Sequence, residues 1–355
     1  MQKREIGSEF HIDTERKGTE KTKFNVFDYL AEFYTAYFDS GRSALRSLLE
    51  NLSFQTVLLP DYICESVRLC FSREIKVVYY HINDEFCVDW DDLLKKCDSD
   101  IDIVYLHYFN GYLGREYDYD TLLALKEKNN FIIIEDTTHS FLSAARTVGD
   151  YCICSLRKWF PVADGGVLYS KKAFLEHQYE KNKWAKKKRQ AMSDKTRYLQ
   201  GDRTIDKQSF LTSFMEAEEL LDMQSRPRAI SEQSCEALKY IDIQEVIQRR
   251  RQNFAILNEQ LQCTKVACNG INQVPLFFTI CTEQRDNIRK FLIRNNIYCP
   301  IHWPLFDELK CVKGSVVKNK KELSIPIDQR YEVDDMIYLS VKFMEYAECK
   351  NKGEI

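Results

Sequence analysis

Between residues 56 and 170 short apolar runs alternate with amphipathic stretches. TVLLP, KVVYYHI, DIVYLHYF, FIIIED, DYCICSL and GGVLYS are rich in β-branched and aromatic residues, the composition of strands. Between them ESVRLCF, DWDDLLKKC and YDTLLALKEKNN read as helices. Strand and helix in alternation predict βαβ units and an α/β fold, a mostly parallel sheet covered by helices. Near-continuous apolar strands fit burial on both faces. Upstream, SGRSALRSLLENL (40–52) predicts an amphipathic helix with Leu45, Leu48 and Leu49 on one face. From about 171 to 265 the pattern turns helical. The stretch 230–261 is long, charged and free of proline, and could link two domains. Beyond it VPLFFTICT is strand-like, and RDNIRKFLIRNN and VDDMIYLSVKFMEYAECK are helix-like. The expected organisation is an N-terminal segment plus a large α/β domain over 1–245 and a small C-terminal α+β domain over 246–355.

Composition narrows the function classes. The chain has 355 residues, and its 44% apolar content is enough for a sizeable core. Its 51 basic and 54 acidic residues give a net charge of -3, so no global field draws it to nucleic acid. One basic run, KNKWAKKKR at 181–189, reads as a solvated helix face or as a contact for a polyanion or diphosphate. The 13 cysteines are odd in number, irregularly spaced and without a CxxC pair. Buried free thiols in a reducing compartment account for them better than zinc ligands or disulfides do. Alternation puts Cys152 and Cys154 on one face of a strand. The opening MQKREIGSEF lacks a signal-peptide apolar core, and no apolar run reaches the length of a membrane span. A cytoplasmic protein is expected.

Three stretches could carry chemistry. Ser40 and Gly41 precede a helix, whose start offers unpaired N–H groups to an anion, although taken alone an ordinary N-cap is the plainer reading. FIIIEDTTHS runs from a strand straight into Glu135 and Asp136, with His139 three residues on. Ligands of open parallel sheets gather at such strand ends; a helix cap or a salt-bridged loop acid explains the segment equally well. Lys158 also follows a strand, with Asp164, Gly165 and Gly166 beyond it. Partly desolvated there, its amine would become nucleophilic, whereas an isolated lysine is most simply a surface residue. Taken together, a phosphate cradle, an acid after one strand and a lysine after the next meet the needs of pyridoxal phosphate.

At this point the chain resembles the DegT/DnrJ/EryC1/StrS family of sugar aminotransferases, within the fold-type I pyridoxal-phosphate enzymes. The resemblance spans roughly 25–350. It rests on Ser40-Gly41-Arg42-Ser43-Ala44-Leu45, Leu59-Pro60-Asp61-Tyr62, LHYFNG with His107, Ile134-Glu135-Asp136-Thr137-Thr138-His139, and Ser155, Lys158 and Asp164-Gly165-Gly166. The six-residue step from Lys158 to Asp164 is its most specific feature. Ile301-His302-Trp303-Pro304 and Leu323-Ser324-Ile325-Pro326 are similar to C-terminal segments of the family.

The resemblance implies roles. Lys158 would bind the cofactor's aldehyde and shuttle a proton. Asp136 would pair with the pyridine nitrogen, and His139 would lie beside the phenolic oxygen. Ser155, Gly41, Arg42 and Ser43 would surround the phosphate, and His302 would lie near the substrate. It further implies an amino-acid donor such as glutamate, a nucleotide-sugar acceptor, a homodimer and a part in polysaccharide biosynthesis. Three departures stand out. Ser155 precedes Lys158 by three residues rather than five. Cys64 stands where a ring-stacking aromatic is expected, leaving Tyr62 or His139 to cover the ring. SRPRAIS replaces a segment whose Asn reaches a neighbouring subunit's phosphate, leaving Arg226 or Arg228 as substitutes. The competing readings are a non-catalytic sugar-binding or regulatory relative, and another reaction on the same scaffold such as sugar dehydration.

Overall fold

Each apolar run between 56 and 170 becomes a strand, and the stretches between them supply helices of very different lengths. The computed structural model describes residues 4–12, 24–111, 118–143, 147–261 and 273–351. In chain order the first half comprises β1 (Ile6–Gly7), α1 (Val26–Tyr29), β2 (Tyr34–Phe38), α2 (Gly41–Leu49), β3 (Thr56–Pro60), α3 (Glu65–Arg68), β4 (Lys76–Tyr80), α4 (Trp90–Lys96), β5 (Ile103–His107), α5 (Tyr119–Asn129), β6 (Ile132–Asp136), β7 (Tyr151–Cys154) and β8 (Gly166–Ser170). There follow α6 (Ala185–Leu199), α7 (Lys207–Asp222), α8 (Glu232–Leu238), α9 (Ile243–Gln260), β9 (Phe277–Cys281), α10 (Arg285–Arg294), β10 (Ile297–Tyr298), α11 (Lys313–Lys321), β11 (Glu322–Pro326) and α12 (Val333–Asn351).

A seven-stranded sheet, ordered β2-β8-β7-β6-β5-β3-β4, forms the main body. Strands β3 to β7 run parallel, while β8 is antiparallel to both its neighbours. The connection from β7 to β8 is too short for a helical crossover, so the chain turns back on itself. This is the α/β class expected from the alternation. The edge strand β2 was not legible as one. Most of YTAYF is half-exposed, so it carries no continuous apolar run.

Strand alternation divides the core. Val57, Leu59, Ile103, Tyr105, Ile134, Ile153 and Leu168 pack with Ala44, Leu45 and Leu48 of α2. Leu58, Val104, Leu106 and Ile133 pack on the other face with Leu93 of α4 and Leu122 of α5. Each buried leucine contributes on the order of 2 kcal/mol. Cys152 and Cys154 share a face in a third cluster, as alternation requires.

The helical stretch 230–261 is broken rather than continuous. Asp242 is an N-cap whose carboxylate accepts the N–H groups of Gln244 and Glu245, so α8 ends and α9 starts anew. Past α9, β9 and β11 pair antiparallel over a core shared by α9, α10 and α12. The N-terminal β1 pairs in parallel with β10 of this C-terminal part. Among the described residues no helix is long and apolar enough to cross a membrane.

Candidate active site

Strands β5, β6 and β7 end side by side, at His107, Asp136 and Cys154. Their C-terminal edge opens into a cavity of about 260 Å³. Gly41, Arg42, His107, Asp136, His139, Ser155, Arg157, Lys158 and Trp303 all line it, with Glu218 and Asp222 of α7. The site thus lies where an open parallel sheet presents its ligands.

Asp136 is buried at one end of the cavity. Its Oδ1 accepts the Thr138 N–H at 2.9 Å and its Oδ2 accepts the Tyr105 hydroxyl at 2.8 Å. Nδ1 of His107 lies 3.5 Å from Oδ2 and 3.3 Å from the Asp136 carbonyl oxygen. With two acceptors before it, this nitrogen carries the hydrogen. Burial alone would raise the Asp136 carboxyl, but the His107 imidazole and Thr138 together hold it below its ordinary value. It is therefore a carboxylate at neutral pH, ready to face a cation.

His139 behaves oppositely. Burial, the neighbouring His107 and His302 imidazoles and the Lys158 charge push its pKa well below the usual histidine value. Its Nδ1 accepts the Asn110 N–H at 3.2 Å, so the neutral ring carries its hydrogen on Nε2. Trp303 stacks on this ring, with centroids 5.4 Å apart and an interplanar angle of 26°.

Lys158 closes a single 3-10 turn, Leu156–Lys158, directly after β7. It lines the cavity yet is exposed, which corrects the expectation of a desolvated lysine. Its position is set by the next residue. Trp159 is fully buried; its indole N–H donates to the Thr138 carbonyl at 2.8 Å and its own carbonyl accepts from Gln329 at 2.7 Å. The Arg250 guanidinium covers its ring at 4.7 Å.

At the other end α2 begins. The Ser40 hydroxyl caps it by accepting the Ser43 N–H, and the N–H groups of its first turn lack helical acceptors. A Cβ on Gly166 would stand 2.2 Å from the Ser40 carbonyl group, and one on Gly41 would stand 3.2 Å from Ser155 Cβ. Glycine at both places lets β8 and the Ser155 turn approach the helix start. Above it, Arg42 pairs with Asp222 at 2.7 Å and Arg157 with Glu218 at 2.6 Å.

Not every expected residue lies in this cavity. Ser43 spends its hydroxyl on Gln224 and the Arg228 N–H. Tyr62 packs against Phe86, Phe109 and Trp303 and donates to the His302 carbonyl. His302 is buried beside Ser324 and Glu322, behind Trp303 and His139. Arg226 is exposed, and Arg228 pairs with Glu180. Asp164 accepts from Asn182, Ser231 and Ser234 and so fixes the start of α8. The basic run is largely the solvated face expected of it: Lys181, Lys183, Lys186 and Arg189 are exposed, while Lys181, Lys187 and Lys188 pair with Glu232, Glu216 and Glu218.

Sequence reasoning gave no role to His107, Trp303, Arg157, Glu218 or Asp222. His107 and Trp303 stood inside the quoted motifs, which is the signal that could have found them. The α7 carboxylates had none, since their partners lie far away in sequence.

The donor set suits pyridoxal phosphate. Asp136 offers a charge for a pyridinium and the α2 start offers N–H groups for a phosphate. Lys158 offers an amine for which no hydrogen-bond or ion-pair partner is found among the described residues. His107 Nε2 is buried on the cavity wall with no partner, a polar atom that a bound molecule would satisfy.

No protein-family profile and no curated protein matches the chain. Solved structures match it throughout. Spr1654 of Streptococcus pneumoniae, assigned as a sugar aminotransferase and seen in its PMP form, superposes with a TM-score of 0.67 at 14% identity, over 97% of this chain and 98% of that one. A DegT DnrJ EryC1 StrS aminotransferase of Brucella abortus gives 0.62 at 16% identity, over 90% and 88%. PseC of Helicobacter pylori, an aminotransferase in the biosynthesis of pseudoaminic acid, gives 0.65 at 11% identity, over 97% and 100%. The chain therefore has the fold of the sugar aminotransferases.

Proposed function

We propose that this chain, built on the aminotransferase fold, is a pyridoxal-phosphate-dependent aminotransferase. In this reading it moves an amino group from an amino acid, glutamate, to a nucleotide-linked keto sugar. One observation carries it: an ionised buried carboxylate, an unpaired lysine and an open helix start surround one cavity at the C-terminal edge of a parallel sheet. The structures of this fold include one obtained with its cofactor in the PMP form. Bound here, the cofactor would supply an electron-accepting ring.

The residues would divide the work as follows. Asp136 keeps the ring nitrogen protonated, its own charge fixed by His107, Tyr105 and Thr138. His139 would offer Nε2–H to the phenolic oxygen, its imidazole held by stacking on Trp303. Lys158 would hold the aldehyde end through its amine, and the same amine would take and return a proton at the substrate carbon. Its exposure gives it the freedom to swing between these tasks. The α2 start, Arg42 and Ser155 hold the phosphate. A homodimer belongs to this reading through the resemblance.

Purified protein given pyridoxal phosphate should show a visible band of lysine-bound cofactor, and Lys158→Ala should lose it. Glutamate should bleach the band, and a nucleotide-linked keto sugar should restore it. A band unchanged in Lys158→Ala removes that lysine from its role. A band that no amino acid bleaches leaves a cofactor-binding protein without transaminase activity.

A further inference from the structure

The resemblance leaves the phosphate short of a donor, and neither Arg226 nor Arg228 lines the cavity. Arg157 does. Its guanidinium lies 5.2 Å over the Trp184 ring and donates through Nη1 to Glu218 Oε1 at 2.6 Å, while its Nε is buried with no hydrogen-bond partner. Arg42, in the first turn of α2, donates to Asp222 at 2.7 Å. Glu218 and Asp222 are four residues apart on α7, so they face the same way one turn apart. The two arginines they hold therefore stand side by side, next to the helix start and Ser155. All of these groups line one cavity.

We propose that Arg157 and Arg42 bind the cofactor's phosphate from within this chain, and that Glu218 and Asp222 are resident counterions which the phosphate displaces. This rests on the cofactor reading above and specifies how its anionic end is held. The exchange leaves no charge stranded. Glu218 also accepts from Lys188 Nζ at 2.5 Å, and that lysine side chain is 5% exposed. When Arg157 turns to a phosphate, Glu218 keeps this buried cation, and Lys188 keeps Glu9 at 3.2 Å as well. Asp222 is largely exposed and passes to water. Arg157 gains an acceptor for its unsatisfied Nε. Phosphate oxygens suit two forked guanidinium groups better than single carboxylate contacts do.

The test titrates apoprotein with pyridoxal phosphate and with pyridoxal, which lacks the phosphate, following the visible band. Arg157→Gln and Arg42→Gln should each weaken pyridoxal phosphate roughly ten- to hundredfold and leave pyridoxal unchanged. Glu218→Gln and Asp222→Asn should tighten pyridoxal phosphate severalfold. Asp222 is an exposed position, so its variant folds even where Glu218→Gln does not. Wild-type affinity in Arg157→Gln overturns the site. Affinities no tighter than wild type in both carboxylate variants overturn the counterion role. A wild type showing no band with either aldehyde overturns the cofactor reading instead. Thermal stabilisation by inorganic phosphate, present in wild type and lost in Arg157→Gln, then decides the arginine site by itself.

Discussion

The two ends of the cavity are built on different electrostatic plans. At the Asp136 end one buried carboxylate is surrounded by fixed dipoles and imidazoles, all from residues 105–139 of one continuous sheet edge. Nothing there can move without leaving a buried polar group unpaired. At the Arg157 end Arg42, Arg157 and Lys188 each already hold a carboxylate, and those carboxylates come from α7, a separate helix at the rim. Paired charges can be exchanged for another anion with little net cost. On the proposed function, the contrast teaches that the first end would hold a charge in place during chemistry, and that the second would accept and release a ligand.

The largest expected effect strikes the turn that joins both ends. Trp159 follows Arg157 and Lys158 directly and is anchored by Thr138, Gln329 and Arg250. Trp159→Ala should destabilise the fold by about 3–5 kcal/mol, the usual cost of deleting a large buried aromatic. Denaturant unfolding measures it. A loss below about 1 kcal/mol would mean that the turn is held by something other than this indole.

Next comes Asp136→Asn, which removes the fixed charge and keeps the shape. If the proposed reaction holds, its half-reaction with the amino-acid donor should slow by about a hundred- to a thousandfold, the scale of losing one preorganised electrostatic partner. Affinity for pyridoxal phosphate should fall less than in Arg157→Gln, because the anionic end stays intact. Stopped-flow bleaching and equilibrium titration separate the two quantities. Equal losses of rate and affinity would erase the distinction between the ends.

The same contrast explains what could be read from the sequence. The sheet was legible because each strand is a local apolar run, and Asp136, His139 and Lys158 were legible because they follow such runs directly. His107 lay in view within LHYFNG, yet its value depends on Nδ1 facing Asp136 across two strands, a relation no local pattern records. Tyr62 stood as a ring cover only through the resemblance, because Cys64 occupies the place of the expected aromatic; its ring instead turns into the core beside Phe86 and Phe109, and Trp303 from the distant C-terminal part lines the cavity. Glu218 and Asp222 were invisible for a further reason. On an amphipathic helix they read as ordinary solvated acids until the fold brings α7 to Arg42 and Arg157.

The smallest effect sets Glu135 against Asp136, its neighbour on the opposite face of β6. Burial raises the Glu135 carboxyl to about 7, although the Val148 and Gly149 N–H groups at 2.8 Å and 3.1 Å pull it down. The ordinary value of a free glutamate is 4.5. Between these pH values the folded chain holds a proton that the unfolded chain has released. Stability from this group is therefore full below about pH 4.5 and falls as pH rises to about 7, by up to about 3 kcal/mol. Glu135→Gln keeps an acceptor for the two N–H groups and cannot ionise. It should match wild type near pH 4.5 and exceed it at pH 8. His139, neutral in the fold, works in the opposite direction below about pH 6.5, but it is common to both proteins and cancels in their difference. Urea unfolding of the pair across this range gives the difference curve directly. A curve that is flat, or that rises toward acid, would mean that Glu135 is ionised in the fold and that the two faces of β6 do not differ as described.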